Sequence, residues 1–247
     1  MTKEEKSKKK WRRRLVNLLI LLLFLIGLVL IFNQPIRNFL IGLNQNRYRI
    51  VNVTAEEMKK NNSADASFDF EAVQPASFQS VLAAQLSNQA LPVIGGVAVP
   101  QVGINLPIFR GVSNTSLLYG AGTMKPDQVM GKGNYALASH TVSGFNINQG
   151  LLFTPLENVK NGMTVYLTDK INVYQYKVDS VRILNASHVE VINDVPGKIM
   201  VTLVTCETRN SPNRIVVQGE FVKEVKFSAA TKDMLNAFGE KYNQISR

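Results

Sequence analysis

Hydrophobic positions change their spacing along this chain, and each spacing predicts a different element. Leu15 opens a run to Phe32 in which only Asn17 and Gly27 fall outside Leu, Ile, Val and Phe. Eighteen such residues in a helix reach about 27 Å, close to the roughly 30 Å of a bilayer's hydrocarbon. No polar face interrupts the run, which argues against a buried soluble helix. A cleaved secretory signal would have a shorter apolar region followed by a small-residue cleavage site. Asn33-Gln34-Pro35-Ile36-Arg37 offers no such site. The pattern therefore predicts an uncleaved transmembrane anchor over residues 15–34.

Past Pro35 the apolar positions thin out. Ile36, Phe39, Leu40 and Leu43 keep helical spacing, which fits either a helix on the outer membrane surface or a continuation of the span. Residues 44–75 are rich in Asn, Gln, Ser, Ala and Glu with little periodicity. Residues 35–76 are expected to form a membrane-proximal segment and stalk, with a reach on the order of 30 Å. Ser77 opens a predicted helix over 77–89, carrying Val81, Leu82 and Leu86 and ended by Pro92.

From there the period is that of strands. Apolar or alternating runs occupy Val93–Val99, Leu106–Arg110, Asn134–His140, Thr164–Thr168, Val173–Leu184, Val189–Ile192, Lys198–Thr205 and Arg214–Val225. Gly, Pro and Asn-Gly turn signals separate them. Eight runs with short connections predict a mainly β domain over residues 77–247, an eight-stranded barrel with short helices. Ser228–Arg247 reads as a polar helix or a disordered tail.

Charge changes the picture only once it is located. The chain has 247 residues and a formal charge of +10. Residues 1–14 hold eight Lys or Arg against two Glu, so +6 sits in a short basic tail and only +4 is spread over the rest. A basic cluster before a span, with few charges after it, predicts a cytoplasmic N-terminus and a single-pass membrane protein whose domain is extracellular. Nucleic-acid binding would need a basic face on the domain, and none is expected.

One Cys excludes an intramolecular disulfide and Cys-rich zinc sites. Cys206 ends the β-branched run Lys198–Thr205 and precedes the polar loop Glu207–Asn213. It is either a small buried hydrophobe or a nucleophile displayed at a strand end. A reactive thiol needs a proton partner and a cation. His140 ends an apolar strand, and His188 lies in the loop sequence Leu-Asn-Ala-Ser-His. Either can be an ordinary surface or satisfied histidine. Arg214 follows Cys206 by eight residues. If a hairpin joins them their side chains can meet at its mouth; otherwise Arg214 is a strand-end charge.

Ala138-Ser139-His140, the element Thr202-Leu203-Val204-Thr205-Cys206, and Asn213-Arg214 behind an N-terminal anchor resemble the class A sortases of Gram-positive surfaces, roughly over residues 78–226. Leu106-Pro-Ile-Phe is similar to that family's second-strand segment. The resemblance implies a sortase-type β-barrel and a cysteine transpeptidase. Cys206 would attack the Thr carbonyl of a Leu-Pro-x-Thr-Gly sorting signal on a surface protein and form a thioester. His140 would move protons and Arg214 would stabilise the oxyanion. A lipid-linked peptidoglycan-precursor amine would resolve the thioester. Ala138, Val189, Val191, Ile192, Val204 and Thr205 would line the substrate wall, although the same residues fit ordinary barrel core.

Some relatives bind calcium between two acidic loops. Here Asn114–Gly133 contains only Asp127, and the second loop offers Glu190 and Asp194. That donor set is poor for a hard cation, so no cofactor and no calcium requirement are expected. Pilin-type relatives carry an Asp-Pro-aromatic lid and a second span, and neither is found. The competing readings are a thiol hydrolase on the same barrel and a non-catalytic anchored barrel.

Overall fold

The computed structural model describes residues 3–87, 91–142, 150–208 and 211–239. The end of the helix expected over 77–89, part of the loop 207–213 and the tail beyond 239 lie outside the described residues.

Eight strands close into one barrel in the order β1-β2-β3-β4-β7-β8-β6-β5. They are β1 Val93–Val99, β2 Ile104–Phe109, β3 Ala121–Thr123, β4 Asn134–Ala138, β5 Thr164–Thr168, β6 Asn172–Asn185, β7 Met200–Cys206 and β8 Asn213–Lys226. The pairings β2–β3 and β4–β7 are parallel and the others antiparallel. Inward residues such as Val97, Leu106, Leu137, Val165, Tyr176, Leu203 and Val217 fill one interior cluster. Closure leaves no free edge among the eight.

Seven of the eight expected strands form, and one does not. Val189–Ile192 is a short 3-10 turn. Both edges of β7 are taken, by β4 and β8, so a further apolar tetrapeptide has no ladder to join. The true third strand, Ala121-Gly-Thr, is three small residues long and carries no alternation to read.

Helix α1 runs from Lys3 to Ile31. Its Lys10–Ile31 part is wholly unburied and apolar enough to cross a membrane, which fits a single-pass anchor. Helix α2, Asn33–Gln45, follows after one turn residue, Phe32. Pro35 does not end the helical path; it sits in the first turn of α2, where a missing N–H is tolerated.

The segment expected to be a stalk is instead packed on the barrel. Ile41, Ile50 and Met58 are buried in a second apolar cluster with Phe109, Tyr119 and Phe238. Tyr48 packs edge-on to Phe109 at 5.5 Å and stacks on Tyr119 at 6.0 Å. Helix α3, Ala55–Asn61, begins with a capping box: Thr54 Oγ1 accepts from the Glu57 N–H at 3.2 Å, and the Thr54 N–H donates to Glu57 at 2.7 Å. That exchange satisfies two helix-end groups and starts a helix in a polar stretch. The composition hid these elements because each contributes only one or two apolar anchors. Gly96 in β1 makes room for them, since a Cβ there would stand 3.0 Å from Ile50.

Helices α4, Phe78–Ser87, and α5, Asn114–Tyr119, cover the same side. Helix α6, Lys232–Gly239, buries Met234, Ala237 and Phe238, so this part of the expected tail is folded onto β1.

Candidate active site

Three strand ends converge at one rim of the barrel. Cys206 is the last residue of β7, and Arg214 is its direct cross-strand partner in β8. On the other edge of β7, Ala138 of β4 pairs with Val204, and the Ser139 N–H continues the ladder to the Val204 carbonyl at 3.2 Å. His140 is therefore carried to the same rim as Cys206. All three side chains line one cavity of about 1000 Å³.

Two threonines lock the His and Cys strand ends together. Thr205 Oγ1 donates to the Ser139 carbonyl at 2.8 Å, and Thr141 Oγ1 donates to the Cys206 carbonyl at 2.7 Å. The two hydroxyl oxygens are 2.9 Å apart. Each bond crosses between the segment carrying His140 and the strand carrying Cys206, so neither residue can move along its strand without breaking one. The Phe153 N–H holds the His140 carbonyl at 3.2 Å.

Burial sets the electrostatics. His140 is buried, its Nε2 has no hydrogen-bond partner, and burial pushes its pKa down to about 4. The imidazole is therefore neutral at pH 7. Arg214 Nη1 donates to the Ser211 carbonyl at 2.9 Å and the Asn213 carbonyl at 3.1 Å. Those bonds use one nitrogen of a group with five N–H donors. Glu207, just past Cys206, accepts from Ser211 Oγ at 3.0 Å and Asn213 Nδ2 at 3.1 Å, which shapes the connecting loop.

The predicted wall residues Ala138, Val189, Val191, Ile192, Val204 and Thr205 all line this cavity. The Thr205 hydroxyl is committed to backbone, however, so that residue braces the rim with its polar end. His188 also lines the cavity, yet it is exposed and its Nδ1 lies 2.8 Å from Glu190. It is not brought to Cys206 as His140 is by the ladder.

Three barrel strands pin the turn that carries Val189, Val191 and Ile192. The Val191 carbonyl accepts from Asn134 Nδ2 at 3.0 Å and Gln218 Nε2 at 3.2 Å. Asn134 Nδ2 also reaches the Asn193 carbonyl at 3.1 Å, and its Oδ1 accepts from Thr202 Oγ1 at 2.7 Å. Asp194 accepts from the Asn134 N–H at 2.9 Å and pairs with Lys125 from the β3–β4 loop. The Lys125 hydrogen bond, with that N–H, holds the Asp194 carboxyl below its ordinary range.

Sequence reasoning missed the other wall. Phe68, Phe70 and Val73, from the expected stalk, line the same cavity as the turn. This strap is tied down by the Val112 N–H on the Ser67 carbonyl at 2.8 Å and by both ends of the Asn114 amide, on Gln74 N–H and Ala72 O at 2.7 and 3.3 Å. Arg110 lies over the Phe68 ring at 6.0 Å. Gly111 has a φ of +75°, and a Cβ there would stand 2.4 Å from the Ser67 carbonyl, so only glycine fits where the strap crosses. Phe68-Asp-Phe70, two aromatics in a polar stretch, was the available signal.

Comparison with known proteins agrees with this geometry. A Sortase domain model matches residues 97–222. Sortase A of Streptococcus agalactiae is 50% identical over 230 residues, covering 93% of each chain. Sortase A of Listeria monocytogenes is 38% identical over 219 residues, 88% of this chain and 95% of that one. The crystal structure of the Listeria monocytogenes enzyme superimposes with a TM-score of 0.53 at 39% identity, over 59% of this chain and 96% of that one. The chain with the Cys206, His140 and Arg214 rim thus belongs to the sortase family, in its class A branch.

Proposed function

We propose that the chain is a cysteine transpeptidase that cuts Leu-Pro-x-Thr-Gly sorting signals between Thr and Gly. The observation that carries this reading is the pairing of Cys206 with Arg214 beside His140 at one cavity rim. The Cys206 sulfur attacks the Thr carbonyl carbon, and its proton passes to the neutral His140 imidazole. The free N–H groups of Arg214 stabilise the oxyanion. As the C–N bond breaks, His140 gives that proton to the departing Gly amine, leaving a thioester. An amine of a lipid-linked peptidoglycan precursor then attacks the thioester carbonyl. Its proton returns through His140 to the sulfur as the C–S bond breaks. The apolar turn Val189–Ile192 with Ala138 and Val204 receives the Leu-Pro part.

Calcium is not required on this reading. Lys125 supplies the positive charge between the two loops, and Asp194 is already occupied by it and by a backbone N–H. The basic tail places the N-terminus in the cytoplasm and the barrel outside.

Product analysis tests the reaction class. With a sorting peptide and an amine acceptor, the ligated peptide should dominate. If only the hydrolysed acid forms at saturating amine, the protein is a thiol hydrolase. If Cys206→Ala loses nothing, the barrel is non-catalytic.

A further inference from the structure

Helix α2 is built inside out for a water-exposed helix. The side packed against α4 and α5 buries Arg37, Asn38, Ile41 and Gln45, and Arg37 bonds Asn38 Oδ1 at 2.9 Å and the Ala76 carbonyl at 3.4 Å. Gln45 is fully buried with neither amide atom hydrogen-bonded. The opposite side shows Phe39 and Leu43, 57% and 50% exposed. With about 100° per residue, Ile36, Phe39 and Leu43 fall in one stripe roughly 60° wide. The buried positions sit across the helix from it. Water alone would select the reverse arrangement.

The solvent facing that stripe is fixed by its neighbour. Helix α1 ends at Ile31 and α2 begins at Asn33, with only Phe32 between. Thirteen helical residues extend about 20 Å, and the stripe starts at the end of the span with no linker to carry it away from the bilayer surface. We propose that α2 is an interfacial adaptor: its Ile36, Phe39 and Leu43 stripe seats in the lipid headgroup and upper acyl region, while its polar side packs against α4 and α5. This rests on the reading of α1 as a membrane span. The catalytic barrel then sits against the bilayer in one orientation. Arg37, through the Ala76 carbonyl, joins that seat to the end of the strap lining the cavity.

The test uses the full chain in phosphatidylcholine–phosphatidylglycerol liposomes containing a mixture of lipids brominated high and deep on the acyl chain. Trp11 is the chain's only tryptophan and is changed to Phe. In that background Leu22→Trp, Phe39→Trp, Leu43→Trp and Val129→Trp are made singly. The expected result is blue-shifted, bromine-quenched emission at positions 22, 39 and 43, with solvent-like unquenched emission at 129. Quenching at 22 with solvent-like emission at 39 and 43 overturns the adaptor while keeping the span. Blue-shifted but unquenched emission at 39 and 43 assigns the stripe to protein, a second copy included, and also overturns it. No quenching at 22 removes the span and the adaptor together.

Discussion

Cys206 and Arg214 are opposite residues in the β7–β8 ladder, the pair nearest the loop. Their backbones are held by the sheet, so both side chains start from the same rim of the cavity without any loop having to close. Two Arg214 bonds to the Ser211 and Asn213 carbonyls turn the planar group before substrate arrives. Such preorganisation lets hydrogen-bond donors act on charge that develops only in the transition state.

Arg214→Lys keeps the charge but removes the fork. We expect kcat to fall roughly 10²–10³-fold, the loss typical of one oxyanion donor, while folding is unchanged. Steady-state kinetics with a sorting peptide checks this. A Lys variant within twofold of the parent would show that charge alone suffices.

His140 makes stability fall in acid. Its folded pKa of about 4 lies below the ordinary 6.5, so the unfolded chain binds a proton first as pH drops. The contribution of the neutral buried ring is fully present above 6.5, declines through the window from 6.5 to 4, and amounts to on the order of 3 kcal/mol. Denaturant melts across that window should show the decline, and His140→Asn should flatten it. An imidazole NMR titration with a midpoint near 6.5 would contradict the burial account.

Asn134 is one of three barrel residues pinning the Val189–Ile192 turn, and it touches none of Cys206, His140 and Arg214 through a hydrogen bond. Asn134→Ala leaves the Val191 and Asn193 carbonyls and Thr202 short of partners, a cost of about 1–3 kcal/mol. If the turn receives the Leu-Pro part, KM for the peptide should rise about tenfold while iodoacetamide alkylates Cys206 at the parent rate. Equal losses in KM-independent alkylation and turnover would mean general unfolding of the rim.

The Lys125–Asp194 pair is partly exposed, so losing it should cost under about 1 kcal/mol. A chelator should leave the rate of the parent unchanged, and calcium should not rescue Lys125→Ala. Activity abolished by chelation and restored by calcium would refute the calcium-free reading.

How much of this was legible in the sequence depended on whether the signal was local. Cys206 and His140 end apolar runs and Arg214 opens one, so their placement at a rim could be read from pattern and motif. Val189–Ile192 has the residues of a strand, but strand formation needs a free edge, and barrel closure had used every one. Ala121–Thr123 is a strand only because β2 and β4 lie on either side of it. Between residues 44 and 75, Ile50 and Met58 are single anchors whose partners are distant in sequence, so composition suggested a stalk. The capping signature Thr54-Ala-Glu-Glu57 was the one local clue to structure there, and Phe68-Asp-Phe70 the one clue to the cavity's second wall.

The central claim is that Cys206 carries the acyl group. Intact-mass spectrometry of the enzyme mixed with a Leu-Pro-x-Thr-Gly peptide measures it directly. The account predicts a mass increase equal to the peptide cut after Thr, located on Cys206, absent in Cys206→Ala and discharged when an amine is added. A folded parent protein that cleaves the peptide with no such adduct, even when trapped without acceptor, would contradict it.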